Sequence, residues 1–117
     1  MENNRPIVIR KSSDFLRIKN SGKRKTTTGW LSLAYIKNSE GRLRYGYTIT
    51  KKIGNAVVRN RLKRWCRDYF FRVFRDKGLN PEMDVNVLLK PMPSDFYQKL
   101  EHSEFIQVLD KTFRNIV

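Results

Sequence analysis

The chain has 117 residues, 39% of them apolar, and 25 Lys and Arg against 11 Asp and Glu give it a net charge of +14. That length suits a single domain over residues 1–117 with one modest core, and no run approaches the roughly 20 apolar residues that cross a bilayer. Met1 to Pro6 are polar and charged, unlike a secretory signal, and the lone Cys66 has no partner for an internal disulfide, so a reducing, cytoplasmic setting is expected.

The distribution of charge is more informative than its sum. Residues 5–25 carry eight basic groups against one acidic, residues 51–77 carry ten against two, and residues 78–117 carry four against six. Charge kept only for solubility would mix the signs, whereas clustering is the footprint of a site for a polyanion.

In chain order, Ser12, Ser13 and Asp14 supply N-capping side chains for a short helix over about 13–20, which Gly22 is expected to stop in a left-handed conformation. Lys23 to Lys25 then read as a basic loop. Trp30 to Ile36 reads as a strand, residues 38–41 as a turn, and Leu43 to Thr50 as the antiparallel partner of that strand. The best-defined element is a helix from about Asn55 to Lys77. Val58, Leu62, Trp65, Cys66, Tyr69 and Val73 fall on one arc of it, with Arg59, Lys63 and Arg67 along one flank and Arg61, Arg64 and Arg72 along the other. Asn55 is its expected N-cap, and Gly78 and Pro81 end it. Asp84 to Lys90 reads as a buried strand, Ser94 and Asp95 as a capped turn, and Glu101 to Asn115 as a last amphipathic helix. The order predicts an α+β or α/β sandwich with helices covering a sheet.

Little in the sequence supports catalysis by side chains. His102 is the only histidine, and no metal-ligand spacing accompanies it. Cys66 lies in the apolar arc, where desolvation makes a poor nucleophile. The acidic residues are scattered, and Lys51 to Asn55 holds one glycine where a phosphate-cradling loop needs more. Nucleic acid suits the residues better. Arg and Lys give phosphate contacts, Lys51 and Lys52 stand just before a helix N-terminus, and Trp30, Tyr35, Tyr45 and Tyr47 are candidates for stacking on bases, although strand aromatics more often pack in a core.

The segment Lys51 to Arg64 reads Lys-Lys-Ile-Gly-Asn-Ala-Val-Val-Arg-Asn-Arg-Leu-Lys-Arg. It resembles the signature of the bacterial ribonuclease P protein family, whose central Arg-Asn-Arg stands here at Arg59, Asn60 and Arg61. Ser13-Asp14-Phe15, Ser21-Gly22, Arg44 to Thr50 and Asp84 to Leu89 extend the resemblance over nearly the whole chain. It implies an α-β sandwich with a central sheet covered by helices, of the kind found in the second domain of a small-subunit ribosomal protein, and a left-handed βαβ crossover against the usual preference.

The resemblance also implies an RNA-binding subunit of the endoribonuclease that removes the 5′ leader from precursor tRNA. Its partners are then the ribonuclease P RNA and the precursor. The partner RNA carries the cleavage chemistry with its own Mg²⁺, and the protein binds no metal, no cofactor and no small-molecule substrate. By the same resemblance, Lys51, Lys52, Arg59, Asn60, Arg61, Lys63, Arg64 and Arg67 face the partner RNA, while Phe15, Leu31 and Leu33 line a cleft for the leader. The family often has an aromatic where this chain has Lys19 and a Tyr near Leu33, so the cleft is expected to lean on charge, with Lys19 as its cation. A ribosomal or ribosome-assembly protein, a DNA-binding protein and, last, a nuclease acting alone are the alternatives. The first would lack Arg-Asn-Arg in this setting, and the second would show a helix-turn-helix or arm motif.

Overall fold

A computed structural model describes residues 5–117; the reading of Met1 to Asn4 as part of no leader lies outside them. The described chain runs β1 (Ile7–Val8), α1 (Ser12–Ser21), β2 (Lys23–Thr26), β3 (Leu31–Lys37), β4 (Arg44–Thr48), a 3-10 turn (Lys51–Ile53), α2 (Ala56–Lys77), β5 (Met83–Leu89), α3 (Phe96–Lys99) and α4 (His102–Arg114). The strands form one sheet in the order β1-β4-β5-β3-β2.

The expected hairpin of the third and fourth strands does not form. β3 pairs antiparallel with β5, and β4 pairs parallel with β5, so β5 lies between them. Burial decides this order. Every residue of β5 except Leu88 is buried, and a strand covered on both faces, by the main core on its apolar side and by α1 on the side of Asp84 and Asn86, belongs at the centre of a sheet. β4, α2 and β5 thus form a parallel βαβ unit. Lys23 to Lys25, expected as a loop, pair with Leu33 to Tyr35 as an edge strand, and lysines on an edge discourage pairing with another chain. The short β1, which no pattern announced, lies parallel to β4 on the other edge.

α2 forms largely where its periodicity places it. The Asn55 side chain accepts the Val58 N–H at 2.9 Å, satisfying a donor that the first turn leaves open. Gly78 ends the helix at φ 64°, its N–H reaching the Phe74 carbonyl while that of Leu79 reaches Val73. The stripe Val58, Leu62, Cys66, Tyr69, Phe70 and Val73 is buried against one face of the sheet together with Phe105, Leu109 and Phe113 of α4.

α1 covers the other face through Ile18, which packs with Ile9 and Ala34. Its start differs from expectation, since Lys11 occupies the N-cap position and makes no side-chain cap bond. Its end differs too. Gly22 is extended (φ −88°, ψ 178°), and a Cβ there would stand 2.5 Å from the carbonyl oxygens of Ile18 and Tyr35. Close passage of β3, rather than a left-handed turn, requires glycine at this position.

Candidate nucleic-acid interface

The two faces of the sheet follow from strand alternation. Leu31, Leu33 and Tyr35 of β3, Tyr45 and Tyr47 of β4, and Val85 and Val87 of β5 point toward α2 and α4. The intervening residues point toward α1. In register, Arg24, Ala34, Asn86 and Gly46 make one row across that face, and Thr26, Ser32, Leu88 and Thr48 make the next.

A groove of about 420 Å³ lies between α1 and these rows. Phe15 and Lys19 contribute from the helix, Arg24 from the edge strand, and Ala34, Asn86 and Thr48 from the floor. Phe15 approaches the sheet so closely that a Cβ on Gly46 would come within 2.6 Å of its ring. The floor is polar and paired. Asn86 and Thr48 exchange hydrogen bonds at 3.0 and 3.3 Å, and the Thr26 and Ser32 hydroxyls lie 2.9 Å apart.

Of the residues expected in this cleft, Phe15 and Lys19 line it. Leu31 and Leu33 do not. They are 1% and 0% exposed and lie on the opposite face, in the main core. They occupy the apolar phase of β3, and the groove faces the small and polar phase. The same alternation places Tyr45 in the core and Tyr35 and Tyr47 partly buried beside it, and Trp30, just before β3, packs into that core too, so none of the four aromatics presents a free face over the groove. Arg24, Thr48 and Asn86 were missed, although the polar phase of each strand was a usable signal for them.

One buried network fixes α1 over the groove. Asp84 is fully buried, yet it accepts from Arg44 Nε at 2.8 Å and Nη2 at 2.7 Å, from Arg17 Nη1 at 3.2 Å and from Asn38 Nδ2 at 2.7 Å. Burial alone would raise the Asp84 pKa. The hydrogen bonds from Arg44 and Asn38 and the charges of Arg44 and Arg17 outweigh it and hold the carboxyl below the usual carboxylate range. Arg44 also reaches Asp14 of α1 at 3.3 Å, and its own pKa is raised, chiefly by the Asp84 hydrogen bonds.

The signature residues gather around the first half of α2, but they divide into two roles. Lys51, Lys52, Asn60, Arg64 and Arg67 are exposed. Arg59 and Arg61 are half-buried and bonded within the chain. Arg59 Nη1 donates to the Gly54 carbonyl at 2.9 Å, bracing the helix start. Arg61 Nη2 donates to the carbonyls of Tyr97 and Gln98 at 2.8 and 3.1 Å, and its guanidinium lies 5.1 Å from the Trp65 ring centre. Lys63 is half-buried between them. Cys66 is fully buried, and desolvation raises its thiol pKa far beyond the nucleophilic range. His102 opens α4 with its ring 5.1 Å from that of Trp65. Among the described residues no three His, Cys, Asp or Glu side chains gather where a metal ion could be held, and no helix is long and apolar enough to cross a membrane.

Fold and surface together define a class: a small, strongly basic α+β protein with a cationic helix on one side of its sheet and a helix-roofed groove on the other. The family description Ribonuclease P matches residues 4–117, and the chain belongs to that family. It is similar to the ribonuclease P protein component of Desulforapulum autotrophicum, at 35% identity over 92% of this chain and 86% of that one. It is also similar to that of Erythrobacter litoralis, at 48% identity over 64% of this chain; there the match spans only 60% of the relative's length. Among solved structures, the RNase P protein from Thermotoga maritima superposes with a TM-score of 0.77 at 26% identity, over 93% of this chain and 96% of that one. The Staphylococcus aureus RNase P protein, at 24% identity and a TM-score of 0.76 over 92% and 93%, shares the fold.

Proposed function

We propose that this chain is the protein subunit of a bacterial ribonuclease P, which assists a catalytic RNA in removing the 5′ leader from precursor tRNA. The observation that carries the reading is the first half of α2 and the turn before it. Lys51, Lys52, Arg64 and Arg67 are exposed there, and of these only Arg67 has an ion-pair partner among the described residues, Asp68 at 4.0 Å. Like charges so placed repel one another, and a bound polyanion removes that cost. Lys51, Lys52, Asn60, Arg64 and Arg67 contact the partner RNA directly, and Lys63 lies beside them. Arg59 and Arg61 hold this surface in shape through their carbonyl bonds and offer their solvent-facing N–H groups to the RNA.

The groove under α1 takes the leader as a single strand. Phe15 gives an apolar wall, and Lys19 with Arg24 supplies the charge that a second aromatic would otherwise replace. Protein side chains take no part in bond cleavage. The partner RNA holds the Mg²⁺ ions and performs the hydrolysis, while the protein's charge lowers the amount of magnesium needed to bring two polyanions together. No bound cofactor and no membrane enters this scheme, and the reaction belongs in the cytoplasm.

Mixing the protein with a bacterial ribonuclease P RNA at low magnesium tests the reading. Cleavage of a precursor tRNA at the mature 5′ end, absent with either component alone, is the expected result. Tight binding without rescue by RNAs of more than one structural class would favour a ribosome-assembly role. Cleavage by the protein alone would overturn the assignment of chemistry to the RNA.

A further inference from the structure

Away from the groove, a second cavity of about 360 Å³ opens between the start of β1 and the middle of α2. Arg5 and Pro6 form one wall, Arg67, Asp68 and Phe71 the other, and Tyr45 of β4 lies at its base. Tyr45 is 5% exposed and its ring stacks on Phe70 at 4.9 Å between centres, so the side chain is held rigidly. Its hydroxyl nevertheless has no hydrogen-bond partner among the described residues, unlike the buried hydroxyls of Tyr69 and Tyr97, which bond Asp110 and the Trp30 and Lys90 carbonyls. The hydroxyl is open to the cavity, so a rigidly held ring presents an uncommitted donor beside cationic side chains.

The charges around this hydroxyl are not those of an ordinary core tyrosine. Burial, and after it the neighbouring Tyr47, raises its pKa to about 12, while the charges of Arg67 and Arg10 work against that rise. The one acid in the wall, Asp68, has Oδ1 4.0 Å from Arg67 Nε and is half exposed. It does not form a close bidentate pair that would use up the guanidinium.

We infer that this cavity is a binding site for one backbone phosphate of the partner RNA, with the Tyr45 hydroxyl as donor and Arg67 and Arg5 as its cations. The inference rests on the partner-RNA reading above and extends that surface past the signature segment, onto the wall built by the start of the chain. A phosphodiester offers acceptor oxygens to the hydroxyl and negative charge to the cationic walls. A sequence-specific base contact is not required, because backbone contacts fix register without reading sequence.

The test compares Tyr45→Phe, Arg67→Ala and the double variant with the unaltered protein, in equilibrium binding to a bacterial ribonuclease P RNA across a salt series. Tyr45→Phe keeps the ring and its stacking on Phe70, so thermal stability without RNA should be unchanged or slightly higher. Its affinity for the RNA should fall about tenfold, the usual effect of losing a hydrogen bond to a charged group, with no change in salt slope because the hydroxyl is neutral. Arg67→Ala should weaken binding and also reduce the slope by about 0.9, one phosphate contact. The double variant should lose less than the sum of the two, since both groups serve one phosphate. Unchanged affinity for Tyr45→Phe overturns the site, as does strict additivity. A loss confined to precursor-tRNA binding, with the partner RNA bound normally, also overturns it. Failure of the unaltered protein to bind any ribonuclease P RNA would instead bring down the functional reading itself.

Discussion

Arg44 and Asp84 face each other across neighbouring parallel strands, with both oxygens of the buried carboxylate bonded to one guanidinium at 2.8 and 2.7 Å. From this pair the network reaches Arg17 and Asp14 of α1 and Asn38 of the turn after β3. The geometry of the groove therefore depends on a charge that lies beneath it.

Replacing Asp84 with Asn should leave Arg44 half-satisfied in a buried site and cost about 3 kcal/mol, in the range for breaking a buried pair. Because the folded-state pKa lies below the ordinary value, the carboxylate stabilises the fold above its unfolded pKa, and that contribution is lost as pH falls through the folded value. Denaturant titrations from neutral pH down to about pH 3 should thus show an acid-side loss of stability that shrinks in Asp84→Asn. An acid limb of equal steepness in both proteins would remove Asp84 as its source.

Gly46 and Phe15 give a test of the groove that spares α2. In Gly46→Ala the new methyl group would meet the Phe15 ring at 2.6 Å, which displaces that ring from its place in the groove wall. Affinity for precursor tRNA over mature tRNA should fall at least fivefold, while binding to the partner RNA is retained. Equal affinity ratios in variant and parent would place the leader elsewhere.

Lys19→Ala and Arg24→Ala should each weaken binding of precursor but not of mature tRNA, and each should lower the salt slope of the precursor complex by about 0.7, the value for a single-stranded contact. Equal loss for both tRNAs would dissociate these cations from the leader.

Leu33→Ala separates core from cleft. With Leu33 fully buried among the side chains under α2, truncation should cost about 3 kcal/mol in chemical denaturation. In the fraction that remains folded, the preference for precursor over mature tRNA should not change. A selective loss of that preference would return Leu33 to the leader site.

Arg61→Lys should behave as a structural change although it conserves charge. A lysine, with a compact ammonium in place of the planar guanidinium, cannot reach the Tyr97 and Gln98 carbonyls and also lay a planar cation on the Trp65 ring, so a fall in stability of about 1 kcal/mol is expected. Arg64→Lys, at an exposed position, should leave stability unchanged.

What the sequence determined by itself were its local and periodic features. α2 was legible from cap to cap because its stripe, Asn55 and Gly78 all act within a few residues of one another, and the Arg-Asn-Arg segment in that setting marks the family. The clustering of charge, the buried inert Cys66 and the sandwich class were legible for the same reason. Tertiary structure decided what depends on partners distant in sequence. β5 enters between β3 and β4 because it is buried on both faces, which breaks the hairpin that adjacency suggested. Strand phase then sends Leu31 and Leu33 to the core and brings Ala34, Asn86 and Thr48 to the groove. Arg61, indistinguishable in sequence from its exposed neighbour Arg64, turns to carbonyls 36 and 37 residues away. Tyr45 acquires its cavity only when β1 and α2 close over it. A pairing across dozens of residues is fixed by which surfaces bury best together, and no local pattern contains that comparison.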